Sequence, residues 1–364
     1  KNIRQLRSND EAFLKKTGLT LSGLLRKFKD AVNSADYIQI DEVSMMSSDI
    51  YEMILYRLSQ IKEYDIPILM SGDFLQLQPV DGIPIYHTEK FNEFPVFNLN
   101  KVYRTSDTDF LEFLNKIRTG DVDSKVLEYI ISKHPSKSDF DESKVLNLYS
   151  TNSLVNTVNG IRMKENKNKP FTYEAKLIPC EITPNSNIYN AFLSNAKLSD
   201  KLTLKKGCRV MNTRNNSSTG LVNGDIGTVV GFLDEMVQVD FDRFDSPMWI
   251  EYEEFNQVEY KTIDGKLTPV TMFTVSALPL TIAFALTIHK SQGSTLSGAY
   301  IHATDIFAES QLYVAISRLS NPENMQIYFD YTTSGLKTLE NNLRNVNKSA
   351  KLWYEKLKNE SQYE

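Results

Sequence analysis

The chain has 364 residues, 46 acids against 41 bases for a net charge of −5, and 41% hydrophobic content. That is enough to bury the cores of two or three domains, and it excludes disordered and fibrous classes. The longest apolar stretch, Val275 to Ile288, is interrupted by Pro279 and polar residues and is too short to span a bilayer. The two cysteines, Cys180 and Cys208, and four scattered histidines, His87, His134, His289 and His302, exclude a disulfide framework and a histidine metal site.

The cysteine usage and the lack of a secretory signal point to a reducing, cytoplasmic setting, and Lys1 in place of Met suggests a fragment or processed product. In chain order, Tyr37 to Ile40 and Ile66 to Met70 are short core strands that run into the acidic loops IDEVS and SGDFLQLQPV. Between them Ile50, Met53, Ile54, Leu58 and Ile61 share a helical face, with Ser47, Ser48 and Asp49 as candidate caps. Strand, helix, strand with acids at the strand ends is the pattern of a parallel α/β sheet. The adjacent Asp41 and Glu42 suit a nucleoside-triphosphate site, where one carboxylate holds Mg²⁺ and the other activates water. Such a site also needs a Gly-rich phosphate loop, and none stands in these residues in the right context.

A second helix follows, with Phe110, Phe113, Leu114 and Ile117 on one face, Ser106 or Asp107 as cap and Gly120 as stop. The charged stretch 136–143 reads as a linker, after which VLNLYSTNSLVNTVNGI restarts an α/β pattern. From Gly207 to Tyr260, β-branched and aromatic residues broken by Asn223-Gly224-Asp225 and Asp245-Ser246-Pro247 predict a small barrel-type β insertion. The α/β character returns in LTIAFALTIHKSQG, AYIHAT, the helical QLYVAIS and the strand MQIYF. From Thr338 a polar helical tail carries Leu343, Val346, Leu352, Trp353 and Leu357. Charge is segregated: Lys201, Lys205, Lys206, Arg209 and Arg214 lie in an acid-free run, while 234–254 holds eight acids and one base. Each run alone reads as a solvated face.

Four stretches, IDEVSM, GDFLQLQPV, ALTIHKSQGSTL and LYVAISR, stand in this order. Together they resemble superfamily 1B helicases of the Pif1 and RecD-like (Dda-like) branch, over nearly the whole chain and including LVNGDIGTV. The resemblance implies two RecA-like parallel-sheet domains, the first truncated, with a small SH3-like β-barrel in the second. The implied division is 1–138 for the remainder of domain 1A, 139–220 and 278–338 for domain 2A, 221–277 for the insertion and 339–364 for a helical tail. It also implies an ATP-dependent, monomeric motor on single-stranded DNA with 5′ to 3′ polarity.

By the same resemblance Asp41 holds Mg²⁺, Glu42 orients and deprotonates the attacking water, and Gln76 senses the γ-phosphate. Arg104 and Arg318 are implied to reach that phosphate from the two α/β domains; the planar guanidinium fork suits phosphate oxygens. Asp73 either couples to the nucleotide or merely orders its loop, and Gln292 and Gly293 relay nucleotide state. Thr287, His289, Lys290 and Ser291 are implied at the DNA backbone, as are Thr151 and Asn152, which also fit an ordinary helix cap. The family's phosphate loop precedes the acidic strand, and Lys1-Asn2-Ile3 resembles the helix after its next motif. The expectation is therefore a parent that hydrolyses ATP and a 364-residue chain that does so poorly alone, its first sheet short of a strand. The dozen residues from Leu25 to Asp36 leave little room for a strand-separating wedge, Thr20-Leu21-Ser22 lacks the family's His, and a bacterial or phage-type member is favoured. A non-catalytic nucleic-acid-binding module and the helicase portion of a larger nuclease or relaxase are the competing readings.

Overall fold

The computed structural model describes residues 32–33, 35–59, 66–99, 101–135, 145–178, 183–263 and 266–359, with the side chains of 259–269 left out. Expectations for Lys1-Asn2-Ile3, Thr20-Leu21-Ser22, most of 25–36, Ile61, the linker 136–143 and Cys180 lie outside the described residues.

Strands β1 (Ile38–Ile40) and β2 (Ile68–Met70) pair in parallel, Ile40 opposite Met70, and helix α1 (Ser48–Ser59) connects them. Sequence periodicity put Ile50 on the buried face of α1, but it is exposed and Tyr51 is fully buried instead. The reason is that α1 lies between two small cores. Tyr51 and Leu55 face Phe74, Ile85 and Phe91, while Ile54 and Leu58 face Ile66 and Ile68. A helix serving two cores turns a wider stripe inward than one apolar repeat reveals.

The second unit is a four-stranded parallel sheet in the order β14 (Ala285–Thr287), β3 (Asn147–Tyr149), β15 (Ala299–His302), β16 (Met325–Tyr328). Its core takes in α3 (Thr108–Thr119) and α4 (Ser124–Ser132), both of which precede the linker stretch in sequence. The expected apolar face of α3 is buried as read, with Asp107 accepting from the Phe110 N–H at 2.9 Å and Gly120 ending the helix at φ 74°. Helix α8 (Gln311–Ile316) and helix α9 (Thr333–Arg344) complete this core.

The tail does the reverse. Helix α10 (Lys348–Asn359) leaves the second unit and packs Ala350, Trp353 and Tyr354 against Phe74, Tyr86 and Phe91 of the first. The chain therefore crosses between the units twice among the described residues, once ahead of α3 and once at 345–347.

The β-rich stretch holds an antiparallel five-stranded sheet in the order β10 (Met248–Ile250), β9 (Met236–Phe241), β8 (Ile226–Leu233), β7 (Arg209–Asn212), β13 (Leu280–Ile282). Its core is Val210, Val229, Val237, Val239, Phe241 and Leu280. A long hairpin of β11 (Glu253–Ile263) and β12 (Lys266–Ala277) pairs with β5 (Lys176–Ile178), and β4 (Pro170–Glu174) pairs with β6 (Lys201–Lys205). Helix α6 (Ser186–Asn195) sits beneath that hairpin through Leu193, Phe273 and Val275.

Candidate nucleotide-hydrolysis site and strand-binding face

The parallel pairing of β1 and β2 brings their carboxyl ends, and hence both acidic loops, side by side. Asp41 Oδ1 accepts from the Glu42 N–H at 2.9 Å and from the Ser71 hydroxyl at 2.7 Å, which fixes the carboxylate across the two strands. Gly72 makes the approach possible, since a Cβ there would lie 2.9 Å from the Val43 nitrogen. Glu42 sits in the left-handed region at φ 52°, uncommon for a side-chain-bearing residue and enriched where function holds a strained geometry. Its Oε2 accepts from Gln292 Nε2 at 2.8 Å, a bond from the first unit to the second.

The loop after β2 is organised by Asp73. Its carboxylate takes both arms of the Arg118 fork, at 2.7 and 2.9 Å, the Leu75 N–H at 3.1 Å and Gln76 Nε2 at 3.4 Å. Burial pushes this carboxyl up, but the Arg118 hydrogen bonds and charge outweigh it and hold Asp73 below the usual carboxylate range. The same pairing overcomes burial at Arg118 and raises it.

Both candidate phosphate arginines are hydrogen-bonded to residues of the second unit. Arg104 lies at the entry to α3 and donates to the Ser317 carbonyl at 2.9 Å and the Thr295 hydroxyl at 3.3 Å. Arg318, at the end of α8, donates to the Val314 carbonyl, the Ser317 hydroxyl and, at 3.4 Å, Gln76 Oε1. Neither has a carboxylate at ion-pair distance among the described residues. Burial lowers both, Arg318 to about 10 with the neighbouring Arg104 charge adding to the effect. Two desolvated cations held only by neutral oxygens form an anion site in electrostatic terms. Tyr313, kept neutral by burial that pushes its hydroxyl up to about 12, stands in the field of Arg118, Arg318 and Arg104.

One hydrogen-bonded path thus links Arg104, Ser317, Arg318, Gln76, Asp73 and Arg118, and a second links Asp41, Glu42 and Gln292. For Mg²⁺ the donor chemistry fits. An exposed carboxylate with one oxygen anchored is the hard, sparse ligand that this cation uses when phosphates and waters fill its remaining positions. Among the described residues no cluster of three or more metal-ligating side chains is present, and none is needed for that mode.

A second face lies where β3 and β14 end side by side. Thr151 caps α5 (Asn152–Glu165) by accepting from the Leu154 N–H, and Thr287 caps the short helix α7 (Ile288–Ser291) by accepting from the Lys290 N–H. The structure separates the residues expected here into two groups. Asn152 and Lys290 are exposed, while Thr151 and His289 are half-buried. Thr287 and Ser291 are buried, the Ser291 hydroxyl donating to the Ile288 carbonyl at 2.8 Å, so these two brace the turn and do not face solvent. Burial also lowers His289, which is then a neutral hydrogen-bonding group. Beyond the turn, residues 292–298 wall a cavity of about 720 Å³ whose other side is the antiparallel sheet, with Lys197, Asn223, Gly224 and Arg243 in the lining.

Arg118, Tyr313, Ser71 and Thr295 belong to the site and escaped the sequence reading. Arg118 had no signal, because a base in the last turn of a helix is ordinary. Tyr313 lies inside LYVAISR and could have been taken with it.

The AAA domain family matches residues 10–134. The ATP-dependent DNA helicase Pif1 of Campylobacter jejuni is 27% identical over 326 residues, covering 84% of this chain and 72% of that protein. Among solved structures, Bacteroides sp Pif1 in complex with ADP-AlF4 has a TM-score of 0.75 at 25% identity, covering 92% of this chain and 78% of that one. Bacteroides Pif1 bound to ssDNA has a TM-score of 0.59 with the same identity and coverage.

Proposed function

We propose that this chain, a homologue of the Pif1 helicases of superfamily 1, forms the hydrolytic and strand-gripping parts of an ATP-dependent DNA helicase that moves 5′ to 3′ on single-stranded DNA as a monomer. The observation that carries the reading is the pair of guanidiniums, half-buried Arg104 and buried Arg318, held by neutral oxygens beside the Asp41–Glu42 pair. A decayed ATPase has no physical reason to keep two partly or fully desolvated cations without a carboxylate, each of which costs desolvation energy without an anion to face.

In this reading Asp41 would hold Mg²⁺, which would supply charge neutralisation to the phosphates. Glu42 takes the proton of the attacking water, and its bond from Gln292 sets the carboxylate's direction. Gln76 and Arg318 meet the γ-phosphate together, Arg104 closing from the same unit. The backbone cradle for the phosphates has to come from residues outside those described. Because Gln292 and Gly293 lead directly from Lys290, the turn that would grip the strand is continuous with the group that orients Glu42. Nucleotide occupancy would bias the opening between units through those bonds. We assign the five-stranded sheet to an SH3-like insertion, α3 and α4 to domain 2A and α10 to domain 1A.

The test is ATP turnover by the full-length gene product, with and without single-stranded DNA. Glu42→Gln is expected to lower kcat by about 10²- to 10⁴-fold, as loss of a general base does. Arg318→Ala is expected to lower it by about 10³-fold or more, as loss of a phosphate arginine does, with both variants still binding single strands. A full-length protein that binds strands but turns over no ATP would make this a binding module and end the helicase reading.

A further inference from the structure

We infer that Tyr354 and Arg118 are positioning residues for Gln76, so that the C-terminal helix α10 and the end of α3 jointly set the hydrolysis rate from outside the reacting centre. The inference rests on the reading of Gln76 and Arg318 given above. Asp73 is the hub. It holds Gln76 through Nε2, and it is itself held from two directions by groups on different units. From one side comes the Arg118 fork, on a helix whose Phe110, Phe113 and Ile117 are locked in the second unit's core. From the other comes the Tyr354 hydroxyl, which donates to Asp73 Oδ1 at 3.3 Å and accepts from the Phe74 N–H at 3.2 Å.

Helix α10 has reason to hold its place. Trp353 sets its ring edge against Phe74, with centroids 5.1 Å apart, and donates from Nε1 to Asn92 Oδ1 at 2.8 Å. Ala350 is fully buried beside it, and the Tyr86 hydroxyl hydrogen-bonds Ser349 at 2.7 Å. In the same half of the helix Lys351 donates to the Thr119 carbonyl and to Asp121, at the end of α3. The Arg118 guanidinium also stands over the Tyr354 ring, 5.5 Å from its centroid. Tyr354 and Arg118 are therefore coupled to each other as well as to Asp73. Neither touches the position a γ-phosphate would take through Gln76 and Arg318. Each acts by fixing the carboxylate from which the Gln76 amide hangs, and a misplacement of about 1 Å in such a group is enough to cost a large factor in rate.

The experiment measures kcat and KM for DNA-stimulated ATP hydrolysis by the full-length protein, with a thermal midpoint for every variant. Tyr354→Phe keeps the ring beside Trp353 and Arg118 and removes the hydroxyl that bonds Asp73 and the Phe74 N–H. We expect kcat to fall about three- to tenfold with KM for ATP and the midpoint unchanged, the scale of one ordinary hydrogen bond. Arg118→Met should fall further, with Arg118→Lys recovering part of the loss. The double variant Tyr354→Phe, Arg118→Met should be no slower than Arg118→Met alone, because both act through Asp73. Wild-type kcat in Tyr354→Phe, or a loss that follows the thermal midpoint or adds fully in the double variant, overturns the inference. Glu42→Gln measured alongside separates the two failures. If it is silent while Tyr354→Phe is normal, only the positioning role falls; if it turns over normally, the hydrolysis reading falls and this inference with it.

Discussion

Glu42 and His302 show two ways in which single side chains are held away from their ordinary state. For Glu42 the displacement is in the backbone, and the Gln292 amide rewards it with a bond across the units. For His302 it is in the proton. The ring stacks on Tyr149 at 3.9 Å and shares a 3.1 Å hydrogen bond between Nε2 and Asn147 Oδ1. Burial lowers it to about 4, with the Asp305 charge opposing. The unfolded chain, with an ordinary His value of about 6.5, therefore takes up its proton first as pH falls. Stability from this group is complete above about 6.5, declines as pH falls towards about 4 and is flat below that. The full difference is on the order of 3 kcal/mol. Urea unfolding at pH 7.5, 5.5 and 4.5 should show that decline in the wild type and lose it in His302→Phe, which keeps the stack. Parallel curves for the two proteins would mean that the ring is not held neutral by the fold. Nothing in AYIHAT announced this environment, since the burial of His302 depends on Asn147 and Tyr328, from strands far away in sequence. The grouping of Asp41 with Glu42 and of Gln76 with Arg318 was legible because those residue types stand in short local motifs.

At the level of elements, α3 was readable from end to end, because its cap, its apolar repeat and its stop are all local. What it packs against was not. Gly120 shows why the stop matters beyond the helix. It adopts φ 74°, and a Cβ there would meet Val346 Cγ2 at 3.0 Å and the Arg344 carbonyl at 3.2 Å, at the second crossing between the units. Gly120→Ala therefore combines a left-handed backbone penalty of about 1 to 2 kcal/mol with displacement of the segment that launches α10. Denaturant unfolding should show a loss of about 2 to 3 kcal/mol. A loss below about 1 kcal/mol would show that 344–346 yields freely and does not anchor the crossing. The fate of α10 was illegible for a related reason. A sequence with Leu352 and Trp353 among charges reads as a polar tail, and only the aromatic cluster of Phe74, Tyr86 and Phe91, more than two hundred residues earlier, explains why Trp353 turns inward.

Across the whole molecule the decisive quantity is where positive charge remains available to phosphates. The acid-free basic run looked like one candidate when taken by itself, yet the fold spends most of it internally. Arg209 pairs with Asp242 at 2.5 Å, Arg214 with Glu253 at 3.4 Å and Lys201 with Glu174 at 2.8 Å. Lys205 donates to the Met163 and Asn166 carbonyls. The basic and acidic runs thus partly neutralise each other across β7 and β9, an outcome that strand pairing decides and linear charge counting cannot see. Lys290 is different: it is exposed, in the short capped helix α7, and follows Thr287 and His289 where β14 ends beside β3. If a single strand runs over this turn, Lys290 releases a condensed counterion on binding, whereas Lys205 cannot without giving up its carbonyl partners. Affinity for single-stranded DNA measured between 50 and 300 mM salt, a range of about sixfold, should therefore fall log-linearly. The slope in Lys290→Ala should be shallower by about 0.7, the single-strand value for one lost phosphate contact. That loss should be equal for strands of different sequence, because a phosphate contact carries no base information. Lys205→Gln should leave the slope where it was. A reversed result, with Lys290→Ala silent and Lys205→Gln shallower, would move the strand off the β3–β14 turn and onto the antiparallel sheet.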